Sequence, residues 1–159
     1  MINFFCFLFF VLTFSFSSSQ EQCKNSDDFW ENCYGIYEYD NGDKFIGIYM
    51  NDMPYNGTYL DGNGDKYVGQ FNTNGVRHGE GVYSFANGQK YVGEFKNGRI
   101  HGQGTYYYIN GDKYIGEFKN WKQDGYGTFY YVEGDRYEGQ HKNDLPHGNG
   151  TYFRKDGSV

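Results

Sequence analysis

The residue types that most often carry chemistry recur in this chain at regular intervals. His78, His101 and His147 each open a His-Gly-x-Gly string, Glu94 and Glu117 each follow an aromatic–aliphatic–glycine triplet, and Asp61-Gly62-Asn63-Gly64-Asp65 begins like a calcium loop. Histidines recurring once per two-stranded unit would stand about 10 Å apart. Shared coordination needs Zn–N bonds of about 2 Å, so they read as structural or turn-stabilising and no metal site is expected. A calcium loop wants Gly at its sixth position and Glu at its twelfth. Lys66 and Asn72 stand there, and the segment reads as a turn. General acid–base work needs two acids in one cleft with separated pKa values. A row of equivalent acids is instead a solvated stripe, or a partner for Lys and Arg of the next unit. The chain shows no nucleophile motif, phosphate loop or paired-cysteine metal set. No catalytic residue, no cofactor and no enzyme activity are expected.

What must position these residues is a repeat. Phe45-Ile46-Gly47, Tyr67-Val68-Gly69, Tyr91-Val92-Gly93, Tyr114-Ile115-Gly116 and Tyr137-Glu138-Gly139 open at spacings of 22, 24, 23 and 23. A fixed period of this size means one small unit repeated. Asn41-Gly42-Asp43, Asn63-Gly64-Asp65, Asn87-Gly88-Gln89, Asn110-Gly111-Asp112 and Glu133-Gly134-Asp135 run in phase, and Asp156-Gly157 starts a sixth such turn. Asn-Gly suits a type I′ hairpin turn, whose two central residues need positive φ. The runs Thr105-Tyr106-Tyr107-Tyr108 and Thr128-Phe129-Tyr130-Tyr131 favour strands.

One unit then reads as strand, turn, strand, turn. Alternation puts Tyr91, Gly93 and Phe95 on one face and Val92, Glu94 and Lys96 on the other. Glycine inside a strand marks a close approach, and the expected visitor is a ring from the neighbouring repeat. A lone hairpin is marginal in water, so the units must stack. The expected fold is all-β: an elongated, twisted antiparallel sheet of consecutive hairpins, solenoid-like, in which ten to twelve strands span roughly 50 Å.

These motifs resemble MORN repeats (membrane occupation and recognition nexus). Residues 91–113 read Tyr-Val-Gly-Glu-Phe, a short basic turn, His-Gly-Gln-Gly-Thr-Tyr, then Asn-Gly-Asp-Lys, and follow the family pattern nearly throughout. The resemblance covers residues 34–159: a partial copy over 34–44, then copies over 45–66, 67–90, 91–113, 114–136 and 137–159. It departs at Ile48, where an acid is expected, at Tyr55-Asn56-Gly57 in place of His-Gly-x-Gly, at one extra residue before His78, and at His141 in place of an aromatic. The resemblance implies a scaffolding or binding role, with protein partners, dimerisation and membrane-proximal placement among the family's associations.

The termini and charge complete the reading. Residues 1–16 are almost wholly apolar, and small polar residues follow to Gln20. This is the plan of a secretory signal peptide over residues 1–19, the alternative being an uncleaved membrane anchor. An acidic segment over 20–33 follows. The expected setting is the secretory pathway or outside the cell. Cys23 and Cys33 are an even pair for a disulfide there, and Asn56-Gly57-Thr58 and Asn149-Gly150-Thr151 are glycosylation acceptors. Net charge is −6; residues 1–66 carry ten acids against three bases, and residues 67–159 ten against eleven. That balance speaks against nucleic acid and does not favour a lipid surface. Outside the seven leader Phe, 28 aromatics remain, mostly Tyr. Alternation must expose some of them, which suits a protein segment or helix laid in a groove. The groove candidates are Tyr91, Phe95, Tyr106, Tyr108, Tyr114, Phe118, Phe129 and Tyr131, flanked by Glu94, Glu117, Lys96 and Lys119. The last repeat leaves a strand edge open, where pairing with a second copy is expected. The rival readings are a secreted carbohydrate-binding array, since sugars stack on rings, and a peripheral lipid-binding module.

Overall fold

The structure, a computed structural model, describes residues 22–23 and 32–159. The expected leader and most of the acidic segment lie outside the described residues. Eleven strands follow one another: β1 (Cys33–Glu38), β2 (Lys44–Met50), β3 (Met53–Leu60), β4 (Lys66–Phe71), β5 (Arg77–Ser84), β6 (Lys90–Lys96), β7 (Arg99–Tyr107), β8 (Lys113–Lys119), β9 (Lys122–Tyr130), β10 (Arg136–Lys142) and β11 (Leu145–Phe153). They pair antiparallel in chain order as one open sheet, so every connection is a hairpin.

Register is held by a spine of glycine. Gly35, Gly47, Gly57, Gly69, Gly81, Gly93, Gly104, Gly116, Gly127, Gly139 and Gly150 face one another strand to strand across the whole sheet. Two residues before each even-strand glycine stands a ring: Phe45, Tyr67, Tyr91, Tyr114 and Tyr137. Each lies flat over two spine glycines, as Tyr91 does over Gly93 and Gly104. Close approach is thus what the glycines provide, but the visitor is not a neighbour's ring. It comes from the same hairpin, because the side chain two residues along shares the glycine's face and leans along the strand over it.

Neighbouring units meet ring to ring instead. Phe71, Phe95, Phe118 and His141 each stand four residues after such a ring and contact both their own repeat's ring and the preceding one. Tyr91 meets Phe95 at 5.3 Å and Phe118 at 5.1 Å, both edge to face. The same geometry continues through Tyr114, Phe118, His141 and Tyr137. Such pairs add about 0.5–1.5 kcal/mol each beyond buried area. This unbroken ladder is the core, although the protein is one sheet thick. Tyr91 and Tyr114 are fully buried on its face.

Two kinds of turn close the hairpins, and they invert the sequence expectation. The Asn-Gly-Asp connections are not type I′. Gly42 N–H donates to the Tyr39 carbonyl, Tyr39 N–H to Asp43, and only Gly42 has positive φ, at 89°. This is a type I turn with a left-handed glycine, the three-residue hairpin form. The type I′ turns lie at the opposite end of the strands: Asn51-Asp52, Asn97-Gly98, Asn120-Trp121 and Asn143-Asp144 have positive φ at both residues. The extra residue before His78 lengthens that turn, where Gly75 (φ 69°) takes the left-handed place.

Candidate binding surface

All eight expected groove residues face one side of the sheet, but at two depths. Tyr91, Phe95, Tyr114 and Phe118 belong to the buried ladder. Tyr106, Tyr108, Phe129 and Tyr131 are half-buried and form a second, shallower ladder beside it. Tyr83 and Phe85 begin it at 4.6 Å. Contacts at 5.8, 4.7, 5.6, 4.8 and 5.9 Å carry it through Tyr106, Tyr108, Phe129 and Tyr131 to Tyr152. Tyr107 and Tyr130, between these positions in sequence, are exposed on the other side, as alternation requires.

The shallow ladder, and Tyr59 ahead of it, are anchored at the outer end. Tyr59 Oη donates to Asp43, Tyr83 Oη to Asp65 at 2.7 Å and Tyr152 Oη to Asp135 at 2.7 Å. The same carboxylates accept a backbone N–H from the next turn, Gly62, Ala86 and Lys155 respectively. Phe129 has no hydroxyl, so Asp112 lacks the tyrosine bond and accepts the N–H of Val132 and the side-chain amide of Asn110 in its own turn. The aspartate of Asn-Gly-Asp is therefore a clamp between repeats, a role that the turn reading missed. Its signal was present: an acid that recurs where a turn alone demands only glycine. These bonds favour the carboxylate, and the pKa of Asp43, Asp65 and Asp135 is pulled below the ordinary 3.8. The folded state thus binds fewer protons than the unfolded chain as the pH falls past that value. This stabilisation is complete above about pH 4 and drains as pH drops through the depressed values. Asp65→Asn is expected to flatten the acid limb of a melting-temperature profile, leaving the neutral limb lowered.

Glu94 and Glu117 do not flank the groove. They stand on the opposite face, where the Glu94 carboxylate accepts Gln103 N–H at 2.8 Å and that of Glu117 accepts Tyr126 N–H at 3.0 Å. The carboxylate packs against a left-handed glycine, Gly102 or Gly125. His-Gly-x-Gly is thus a bulge: His101, Gly102 and Gln103 bow out opposite the single residue Glu94. His78 and His147 are exposed at these bulges and His101 is half-buried.

His141 is different. It occupies a ladder position, 4% exposed, and its Nδ1 donates to the Gly139 carbonyl at 3.2 Å while Nε2 is buried without a partner. Burial holds its pKa below the ordinary 6.5. The unfolded chain therefore takes up a proton first as pH falls, and stability at β10 is lost from about pH 6.5 downward. His141→Phe is expected to raise stability by roughly 1–2 kcal/mol and to remove that pH dependence, read as melting temperature at neutral and mildly acidic pH.

Trp121 was missed altogether as a site residue. It sits at the second position of a type I′ turn with φ 74°, where the preceding repeat has Gly98 at 78°. Its indole reaches Tyr83 at 5.7 Å and Phe85 at 6.5 Å and is still 39% exposed. The alignment of Trp121 with Gly98 was the available clue. Arg77 adds a cation 5.1 Å from the Tyr83 ring centre.

At the first end of the sheet a disulfide joins Cys23 to Cys33, and Cys23 N–H donates to the Tyr34 carbonyl. Asn149 is exposed on β11, whereas Asn56 is half-buried within β3.

An open sheet of stacked hairpins with a continuous ring ladder on one face is a quasi-one-dimensional repeat array. The model of the MORN repeat matches residues 67–90, 91–113, 114–136 and 137–159, more than half of the chain, and the protein belongs to the MORN-repeat family. That family is one of repeat-based binding and scaffold modules, generally without enzymatic activity. No curated protein matches the chain. Residues 45–66, outside the matched span, fold in the same way, with Phe45 over Gly47 and Gly57.

Proposed function

We infer that the shallow aromatic ladder docks a segment of another protein, with Trp121 as the anchor. The observation that carries this reading is the strain at Trp121. A non-glycine residue at φ 74° costs about 1 kcal/mol or more, and Gly98 shows that the turn closes without it. A large ring kept there, half out of solvent and on top of two other rings, has a use beyond the turn. Exposed Trp and Tyr with an Arg beside them make the composition of binding hot spots. Tyr presents an apolar body and a polar tip, which suits a mixed polypeptide surface. The Cys23–Cys33 bond supports export to an oxidising compartment as the setting, and Asn149 is the more accessible of the two glycosylation acceptors.

The test is a peptide-display selection against the intact protein, followed by Trp121→Gly. This substitution relieves about 1 kcal/mol of backbone strain but gives up the Tyr83 and Phe85 contacts, so the fold is expected to persist with stability lowered by about 2 kcal/mol or less. It should weaken selected ligands by roughly 2 kcal/mol or more, read by calorimetry. Ligands that bind the variant as well as the parent would refute the anchor role.

A further inference from the structure

The face opposite the rings is as regular as the aromatic one. Alternation sends Lys90, Val92 and Glu94 of β6, and Lys113, Ile115 and Glu117 of β8, to this side. Registered across the strands, these residues fall into three straight rows. The middle row is β-branched through Thr58, Val68, Val82, Val92, Thr105, Ile115 and Thr128, and is interrupted by Glu138 on β10. On one side lies a basic row, with Lys44, Lys66, Lys90, Lys113 and Arg136 on alternate strands. On the other lies a row of acids and amides, with Gln70, Glu80, Glu94, Gln103 and Glu117.

The two charged rows cannot satisfy each other within one chain. Lys90 and Glu94 are four residues apart along a strand, about 13 Å. Among the described residues the ion pairs are Lys44 with Glu38 and Arg136 with Glu138; none joins Lys66, Lys90 or Lys113 to a carboxylate. Glu80 and Glu94 stand directly opposite each other, a like-charged pair that is unfavourable in a sheet. The acids are also fixed in place, since Glu94 and Glu117 each hold a backbone N–H. Val68 and Ile115 leave the middle row exposed.

We propose that this face docks a second copy of the chain, back to back, about a two-fold axis lying along the middle row. That axis turns each strand over and lays it on its own counterpart running the opposite way. Lys90, Val92 and Glu94 then meet Glu94, Val92 and Lys90 of the other copy, and the Lys113 trio of β8 does the same. Lys66 and Arg136 meet the amides Gln70 and Gln140, Lys44 meets Ile48, and the middle rows close on each other except at Glu138, which Arg136 of its own chain neutralises. An axis along the strands would set like charge on like charge and is excluded. Eleven strands at about 4.8 Å, with three rows spanning about 17 Å, offer roughly 800 Å² per copy. That is the area of a standard stable interface. The aromatic face stays free on the outside of both copies, so the pair is bivalent.

Sedimentation equilibrium on the intact protein tests this, with two paired variants. Lys90→Glu with Lys113→Glu sets acid on acid and is expected to give a monomer. Glu94→Gln with Glu117→Gln removes the acid charge but keeps the backbone bond, because Gln70 and Gln140 already make it to Glu80 N and Asn149 N. It is expected to fold normally and to weaken the dimer at least about tenfold. The parent dimer should also weaken as salt is raised. A parent that is monomeric at all soluble concentrations overturns the proposal. So does a dimer indifferent to both variants, which would place contact elsewhere, such as the open edge of β11.

Discussion

Gly116→Ala is expected to collapse the middle of the array. A Cβ on Gly116 would stand 2.5 Å from the Gly127 Cα, 2.7 Å from the Tyr126 carbonyl oxygen and 2.7 Å from the Tyr114 hydroxyl. Two of the three obstacles are backbone of the paired strand. Neither can move without opening the β8–β9 ladder, and the third is a fully buried ring wedged between Phe118 and His141. Overpacking of this kind costs about 3 kcal/mol or more. The control is Gly88→Ala, where φ is 92° but nothing lies within 4 Å. That change meets only the left-handed backbone penalty, about 1 kcal/mol. Chemical denaturation of the two variants separates steric from conformational cost. Equal losses would mean that the spine is glycine for its dihedral freedom alone and not for the rings above it.

The contrast also shows what the sequence made legible. The period, the strand order and the shared aromatic face follow from alternation and spacing, since a register slip would carry every ring to the other side. That glycine marks close approach was also legible at Gly93 and Gly104. Which ring approaches was not. Tyr91 could lie over its own hairpin or over the next one, and only the lean of its side chain along β6 decides between them. The turn types escaped for a related reason. Asn-Gly is compatible with two- and three-residue loops, and loop length depends on the cross-strand register of Asp43 or Asp65, not on the dipeptide. Glu94 is expected to flank the groove, although period-two geometry already sends it to the other face. Trp121 gave no local signal as a turn residue, because a bulky ring at positive φ runs against turn chemistry. It stands out only once the repeats are superposed.

Tyr91→Ala is expected to have the second large effect, and to change the form of unfolding as well as its midpoint. The ring is 0% exposed, covers Gly93 and Gly104, and joins Phe95 of its own repeat to Phe118 of the next. Its hydroxyl donates to the Glu94 carbonyl at 3.1 Å, within the bulge. Removing a buried ring costs about 3–5 kcal/mol. In a quasi-one-dimensional array the loss falls on one junction, since each repeat touches only its neighbours. The segments before and after β6 are then no longer held to a common stability, and a single transition should separate into two. Tyr137→Ala provides the comparison. It removes the same ring from the last repeat, where Tyr137 is half-buried and no further ladder residue follows His141. It should cost about half as much and leave the transition single. Hydrogen exchange would locate the break. In Tyr91→Ala, protection should fall in β6 and β7 and persist in β8 to β10, whereas uniform loss across all eleven strands would show that the sheet, not the ring ladder, is the cooperative unit.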